Sequence, residues 1–223
     1  MRVNALMALA LLGAAPLAAQ ADPDKKVAGG GTMPPGWTAR LEDTTASIAN
    51  VKFVPMGNGL HFTTGPAGIY WKDADAVTGA FHTVATFNQT KAPAHPEAYG
   101  LFVAGNDLKG GNSSYIYLIV RGDGMYSIRQ GGRPGTPSTN LTQGGNRNGW
   151  LANAAVARQD SATGKATNKL EISGDAATKK LTFTINGQKV HEMVAPNGIG
   201  GAVGIRMNHN LDVHVDGFAV HKL

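Results

Sequence analysis

The chain has 223 residues, no cysteine and a formal charge of +5. The missing thiols exclude a disulfide scaffold, a cysteine nucleophile and lipid attachment through a thiol. Its basic residues are scattered, with only the pairs Lys25-Lys26 and Lys179-Lys180, which argues against a nucleic-acid surface and leaves weak attraction to acidic polymers.

The N-terminus reads "MRVNALMALALLGAAPLAAQADPDKK". One positive charge at Arg2 precedes an apolar run from Ala5 to about Ala19, and the small residues Ala19 and Ala21 frame Gln20. This predicts a secretory signal over residues 1–21, cleaved after Ala21, because the run is too short to span a bilayer and leads straight into Asp-Pro-Asp. The expected product is periplasmic or secreted, with no membrane insertion after cleavage. Residues 22–35, "DPDKKVAGGGTMPP", offer almost nothing to bury and are expected to be a flexible leader. Residues 36–223 then form one domain of a size common for all-β units.

From Gly36-Trp37 onward the pattern is period-2 alternation bounded by Gly, Asn and Asp, which is all-β patterning. "GAFHTVATFNQT" sets Phe81, Ala85 and Phe87 on one face and His82, Val84 and Thr86 on the other. "AYGLFVAG" and "SYIYLIV" are apolar on both faces, as strands in the middle of a sandwich are. Hairpins are expected at Asp123-Gly124 and Asn186-Gly187, and a terminal hairpin through Asn208-His209-Asn210. Between them, Gln130 to Gly149 is a long glycine-rich loop that is either functional or mobile. In "NLDVHVDGFAVHKL" the apolar residues are odd-numbered through Val215 and even-numbered from Phe218, which places a bulge at Gly217.

Taken in order, "GWTARLE", "HPEAYGLFVAG", "YIYLIVRGDGMYSI", "NKLEISG", "TFTINGQKV", "GAVGIRMN" and "VDGFAVHKL" resemble the concanavalin A-like jelly rolls of the LamG and 3-keto-disaccharide hydrolase-like group. The resemblance implies two antiparallel sheets stacked face to face, one usually concave. Laminin-type members of this superfamily bind proteins or calcium, lectin-type members bind sugars, and some cleave glycans. The shared fold does not choose among these.

The residues themselves carry little catalytic chemistry. Retaining glycan hydrolysis wants two carboxyl groups about 5–5.5 Å apart, and no E-x-D-x-E strand is present. From Ala98 to Val120 the only acid is Asp107, which falls in a loop, and Glu171 reads as a solvated strand residue. There is no G-x-S-x-G, and Ser113-Ser114 sits at a strand entry where hydroxyls serve turns. Asp73 and Asp75 resemble the start of a calcium loop but lack the later oxygen ligands, so a charged turn is the stronger reading. Asp212, His214 and Asp216 alternate along a strand, too far apart to converge on one ion. No catalytic residue, metal or cofactor is expected.

Sugar binding needs stacking rings and planar polar groups instead. On "SYIYLIVR", Tyr115, Tyr117, Ile119 and Arg121 share one face and Ile116, Leu118 and Val120 the other. Tyr115, Tyr117 and Arg121, joined by Arg129, His82 and Trp150, form the candidate ligand platform, unless the Gln130 to Gly149 loop covers it. The expected function is an exported, non-catalytic module that binds saccharides or envelope polymers. Two alternatives stand beside it. One is a glycoside hydrolase of the 3-keto-disaccharide type, drawing on Glu97, Asp107, His82 and His95. The other is a protein-interaction module.

Overall fold

A computed structural model describes residues 26–223. The expected signal and its cleavage position after Ala21 lie outside the described residues. The strands, in chain order, are β1 (Trp37–Leu41), β2 (Val51–Met56), β3 (Gly59–Thr64), β4 (Gly68–Lys72), β5 (Phe81–Gln89), β6 (Ala98–Asn106), β7 (Ser114–Arg121) and β8 (Met125–Gly131). There follow two short strands, β9 (Thr139–Asn140) and β10 (Leu151–Ala152), then β11 (Ala166–Asp175), β12 (Lys180–Ile185), β13 (Gln188–Val194), β14 (Ala202–Met207) and β15 (Asp212–Lys222).

These strands form two antiparallel sheets. The first runs β1-β4-β14-β6-β7-β8-β10, with β9 on the free part of β8; the second runs β13-β12-β11-β5-β15-β3-β2. Alternation decides which side faces in: along β5, Phe81, Thr83, Ala85, Phe87 and Gln89 are buried while His82, Val84, Thr86 and Asn88 are half-exposed. The inward faces meet in one core, where Phe87 of the second sheet stacks on Tyr99 of the first at 5.4 Å and Phe53 stacks on Phe62 at 4.2 Å. Asn168, fully buried, is satisfied on both sides. Its Oδ1 accepts from the Ala157 amide (2.8 Å) and Asn186 Nδ2 (2.9 Å), and its Nδ2 donates to the Tyr99 hydroxyl (3.2 Å). That network pins the Asn186-Gly187 turn, whose positive φ values of 48° and 80° are those a two-residue hairpin requires.

The β7–β8 hairpin also forms, through three residues, Arg121 lying opposite Met125 and the positive φ falling on Gly124. The expected terminal hairpin does not. β14 pairs with β4 and β6 in the first sheet, whereas β15 pairs with β3 and β5 in the second. The residues Asn208 to Leu211 carry the chain across the end of the sandwich. The Asn208 amide donates to the Ala98 carbonyl, the Asn210 amide to the Gly65 carbonyl, and Leu211 is buried. Turn residues announce a reversal of direction, and a crossing between layers needs the same left-handed residue, here Asn210 at φ 56°.

The segment expected to be a flexible leader makes contacts over its described part: the Gly31 amide donates to the Val51 carbonyl at 3.0 Å, and Met33 packs on the core. The bulge forms as expected. Pairing of β15 with β5 slips between Asp216 and Ala219, with Gly217 at φ 61°. No helix among the described residues is long and apolar enough to cross a membrane.

Candidate functional site

The outward face of the first sheet is built by register. One row crosses Trp71, Gly204, Phe102, Tyr117, Arg129 and Asn140, and the next crosses Ile69, Arg206, Gly100, Ile119 and Ser127. Directly opposed residues share a face, so this side of the sheet carries a second apolar cluster of Ile69, Trp71, Phe102, Leu108, Tyr115, Tyr117 and Ile119, rimmed with cations.

The cluster is roofed. Tyr115 is 1% exposed and Tyr117 4%. They stack at 5.4 Å, with Arg40 over Tyr115 and the buried Arg206 over Tyr117. Arg40 ties the roof down, donating to the Leu108 carbonyl, Ser113 Oγ and the Gly132 carbonyl at 2.8–3.1 Å. The Tyr115 hydroxyl donates to Glu42 Oε1 at 2.6 Å, and burial pushes its ionisation well above the usual phenol range. The glycine-rich loop folds back on β8 through Asn140 and Thr139, and the Leu141 amide donates to the Ile128 carbonyl. Its end is held by Trp150, clasped between Arg121 at 4.2 Å and Arg129 at 5.3 Å. Arg121 also pairs with Asp123, and Arg129 donates to Ser127 Oγ and the Asn148 carbonyl.

Five of the six platform residues therefore lie together. Of these, Arg121, Arg129 and Trp150 are half-exposed, while Tyr115 and Tyr117 are closed off. His82 stands apart, on the outward face of the second sheet, where it bonds Glu171 at 2.9 Å and stacks on His221. Glu171 is paired rather than merely solvated, since Lys169 reaches its other oxygen at 3.1 Å. On that same face Asp212 is shared among Thr90, Lys91 and His61, and Asp216 between His214 and Asn88. These acids are divided among neighbours instead of converging on a point.

An open cavity of about 410 Å³ lies at one end of the roofed face, among Trp71, Asp73, Asp107, Leu108, Lys109 and Ala202. Its chemistry is mixed. The Trp71 indole donates to Asp73 Oδ1 at 2.8 Å, Lys109 Nζ lies 3.4 Å from Asp73 Oδ2, and the same ammonium sits 5.8 Å from the Trp71 ring. The indole bond first, and Lys109 second, hold the Asp73 carboxyl below the usual carboxylate range. Asp107, at φ 49°, fixes its own turn by accepting from the Asn112 amide. With the indole and the ammonium on its oxygens, Asp73 is engaged as a hydrogen-bond and ion-pair partner where the calcium-loop reading would have it bind a cation.

The sequence pointed to none of this cavity as a unit, because Trp71, Lys109 and Ala202 come from three separate segments. It also read His209 only as part of the Asn208-His209-Asn210 turn. His209 Nε2 lies 2.7 Å from Glu97 Oε1, and His95 Nδ1 lies 2.8 Å from that same oxygen, at the other end of the sandwich.

No family model and no curated protein sequence matches the chain. Solved structures do. The carbohydrate-binding module CBM66 from Bacillus subtilis superposes with a TM-score of 0.59 over 84% of this chain and 96% of that one, at 9% identity. The fold is a concanavalin A-like jelly roll. A family 16 glycoside hydrolase, an endo-glucanase from Bacteroides ovatus, gives a TM-score of 0.53 at 11% identity over 82% of this jelly roll and 94% of its own chain. The carbohydrate recognition domain of Emp46p in its potassium-bound form gives 0.51 at 10% identity over 83% and 88%.

Proposed function

We propose that this jelly roll is an exported, non-catalytic module that binds glycans or cell-envelope polymers, and that it does so at the cavity beside Trp71. The observation that carries the reading is the cavity's chemistry. Its volume falls in the range of about 300–1,000 Å³ typical of small-ligand sites, and it opens two carboxylates, Asp73 and Asp107, and one ammonium, Lys109, over a floor of Trp71 and Leu108 that is itself almost wholly packed. A sugar's paired hydroxyls suit acceptors at Asp73 and Asp107 and a donor at Lys109. Fold likeness to a carbohydrate-binding module and a carbohydrate recognition domain supports the same reading. Arg121 and Arg129, half-exposed around Trp150, extend the face toward acidic polymers.

A hydrolase of the 3-keto-disaccharide type would draw on Glu97, Asp107, His82 and His95. These occupy three separate places: the Glu97–His95 cluster, the cavity, and the second sheet. That dispersion favours binding over cleavage.

The test is a glycan array followed by calorimetry on the hits. Lys109→Ala and Asp73→Ala, both at well-exposed side chains, should weaken binding by tenfold or more without changing the melting temperature by more than a degree or two. Silence across neutral and acidic glycans, or hits undiminished in both variants, would sink the proposal; in the first case a protein ligand becomes the reading to pursue.

A further inference from the structure

At the other end of the sandwich from the cavity, two ring nitrogens and a carboxylate meet. His95 and Glu97 come from the loop that leads into β6, and His209 comes from the crossing between β14 and β15. His95 Nδ1 lies 2.8 Å and His209 Nε2 2.7 Å from Glu97 Oε1, and the two rings are tilted with centroids 5.1 Å apart. Among the described residues this is the one group in which three such side chains bring ligand atoms within 4.8 Å of one another. The Glu97 side chain is 7% exposed, and its other oxygen accepts from Asn208 Nδ2 at 3.0 Å. The carboxylate is thereby aimed, with both imidazoles against Oε1.

We propose that His95, Glu97 and His209 form a binding site for a divalent transition ion of the zinc type. Two imidazole nitrogens and one carboxylate oxygen are a borderline-soft donor set, suited to Zn²⁺ and its neighbours and poorly suited to Ca²⁺ or Mg²⁺, which take oxygen ligands. Ligand atoms around a tetrahedral ion at about 2.0–2.2 Å stand roughly 3.3 Å apart. The present separations of 2.7 and 2.8 Å therefore need to open by about half an ångström, within reach of side-chain rotation.

Both imidazoles approach the same oxygen at hydrogen-bonding distance, so each contact holds a hydrogen where the ion would sit. Binding replaces these with one cation and frees the nitrogen lone pairs, by release of a proton or its transfer to the ring's other nitrogen. Protons thus compete with the ion, and affinity falls as the solution is acidified. Beside the cluster is a cavity of about 210 Å³ walled by Pro93, Pro96, Gly122, Asp123 and Gln159 along with His95 and Glu97. It provides an entry path and room for a water or a fourth donor. Asn208, holding the second carboxylate oxygen, is the outer-shell partner that keeps Glu97 oriented.

The site is independent of the glycan cavity, since the nine residues of β6 separate them by about 25–30 Å. The test is calorimetric titration of the chelator-treated full chain with ZnCl₂ at pH 7.5. One Zn²⁺ per chain with micromolar or tighter affinity is expected, with at least a tenfold loss in each of His95→Ala and His209→Ala, and with a Zn²⁺-dependent rise in melting temperature that both variants lack. His82→Ala should bind as the unaltered chain does. Absence of binding at 100-fold excess, or full stoichiometry retained in both cluster variants, would overturn the proposal. Each variant's metal-free melting curve serves as the folding control.

Discussion

His61 shows how a single side chain is governed by competing terms. Its ring lies 3.2 Å from Asp212 and stacks on His214 at 6.0 Å, in a half-buried position on the second sheet. Burial lowers its pKa below the ordinary 6.5; Asp212 pulls the other way and loses, while His214 and Lys52 add to the lowering. At neutral pH the ring is neutral and the contact with Asp212 is a hydrogen bond. Burial alone would raise the Asp212 carboxyl, but bonds from Thr90 and Lys91 outweigh it and leave it below the usual range. Both shifts act in one direction. A depressed pKa means that the unfolded chain binds more protons, so the stability each group contributes is present above its unfolded value and lost as pH falls through its folded one. The chain should unfold at lower urea concentration at pH 5 than at pH 7.5, and His61→Gln should shrink that difference, leaving the part owed to His191, which burial also lowers. An unchanged difference would show that His61 does not titrate in this window. Asp212 and His214 were legible in the sequence as alternating positions of one strand; their pairings with His61, Thr90 and Lys91 were not, because they depend on which strand lies alongside.

Strands teach the complementary lesson. Period-2 alternation located β5 and β15, and the Gly217 bulge, because each is a local pattern enforced by one buried face. The β14–β15 connection was misread because Asn-His-Asn marks a reversal without saying in which layer the chain resumes. Tyr115 and Tyr117 were placed on the correct face, yet burial on that face depends on Arg40, Arg206 and Leu108, none of them adjacent to the two tyrosines in sequence. A consequence for β14 follows. Gly204 lies beneath the Phe102 ring, and a Cβ there would run into that ring and the Tyr70 carbonyl. Gly204→Ala should therefore cost about 2–3 kcal/mol, as overpacking does, read as a drop in urea midpoint; a loss under 0.5 kcal/mol would mean that the ring can move aside. By the same packing, Tyr117→Ala reports on stability and not on ligand contact.

The whole molecule stands without disulfides on two apolar layers, one between the sheets and one beneath the roof of the first. The layered fold was legible because strands apolar on both faces, β6 and β7, demand a covering on each side. The two sites escaped the sequence for one reason: each joins segments distant along the chain, as Glu97 and Asn208 do across 111 residues. The cavity beside Trp71 and the His95–Glu97–His209 cluster sit at separate places, so loss of one leaves the other testable.

Both sheets are also completed from the same direction. β14 slots between β4 and β6, and β15 between β3 and β5, so while the chain is being synthesised each sheet waits with an empty lane for these two strands to arrive. Folding is consequently deferred until residues 202–223 have been made, the slow regime of long-range pairing. A chain lacking residues 202–223 should remain expanded and be digested rapidly by protease at concentrations that leave the full chain intact; a protected fragment of residues 36–201 would contradict this. Such wiring keeps a chain threadable for as long as its final strands are withheld.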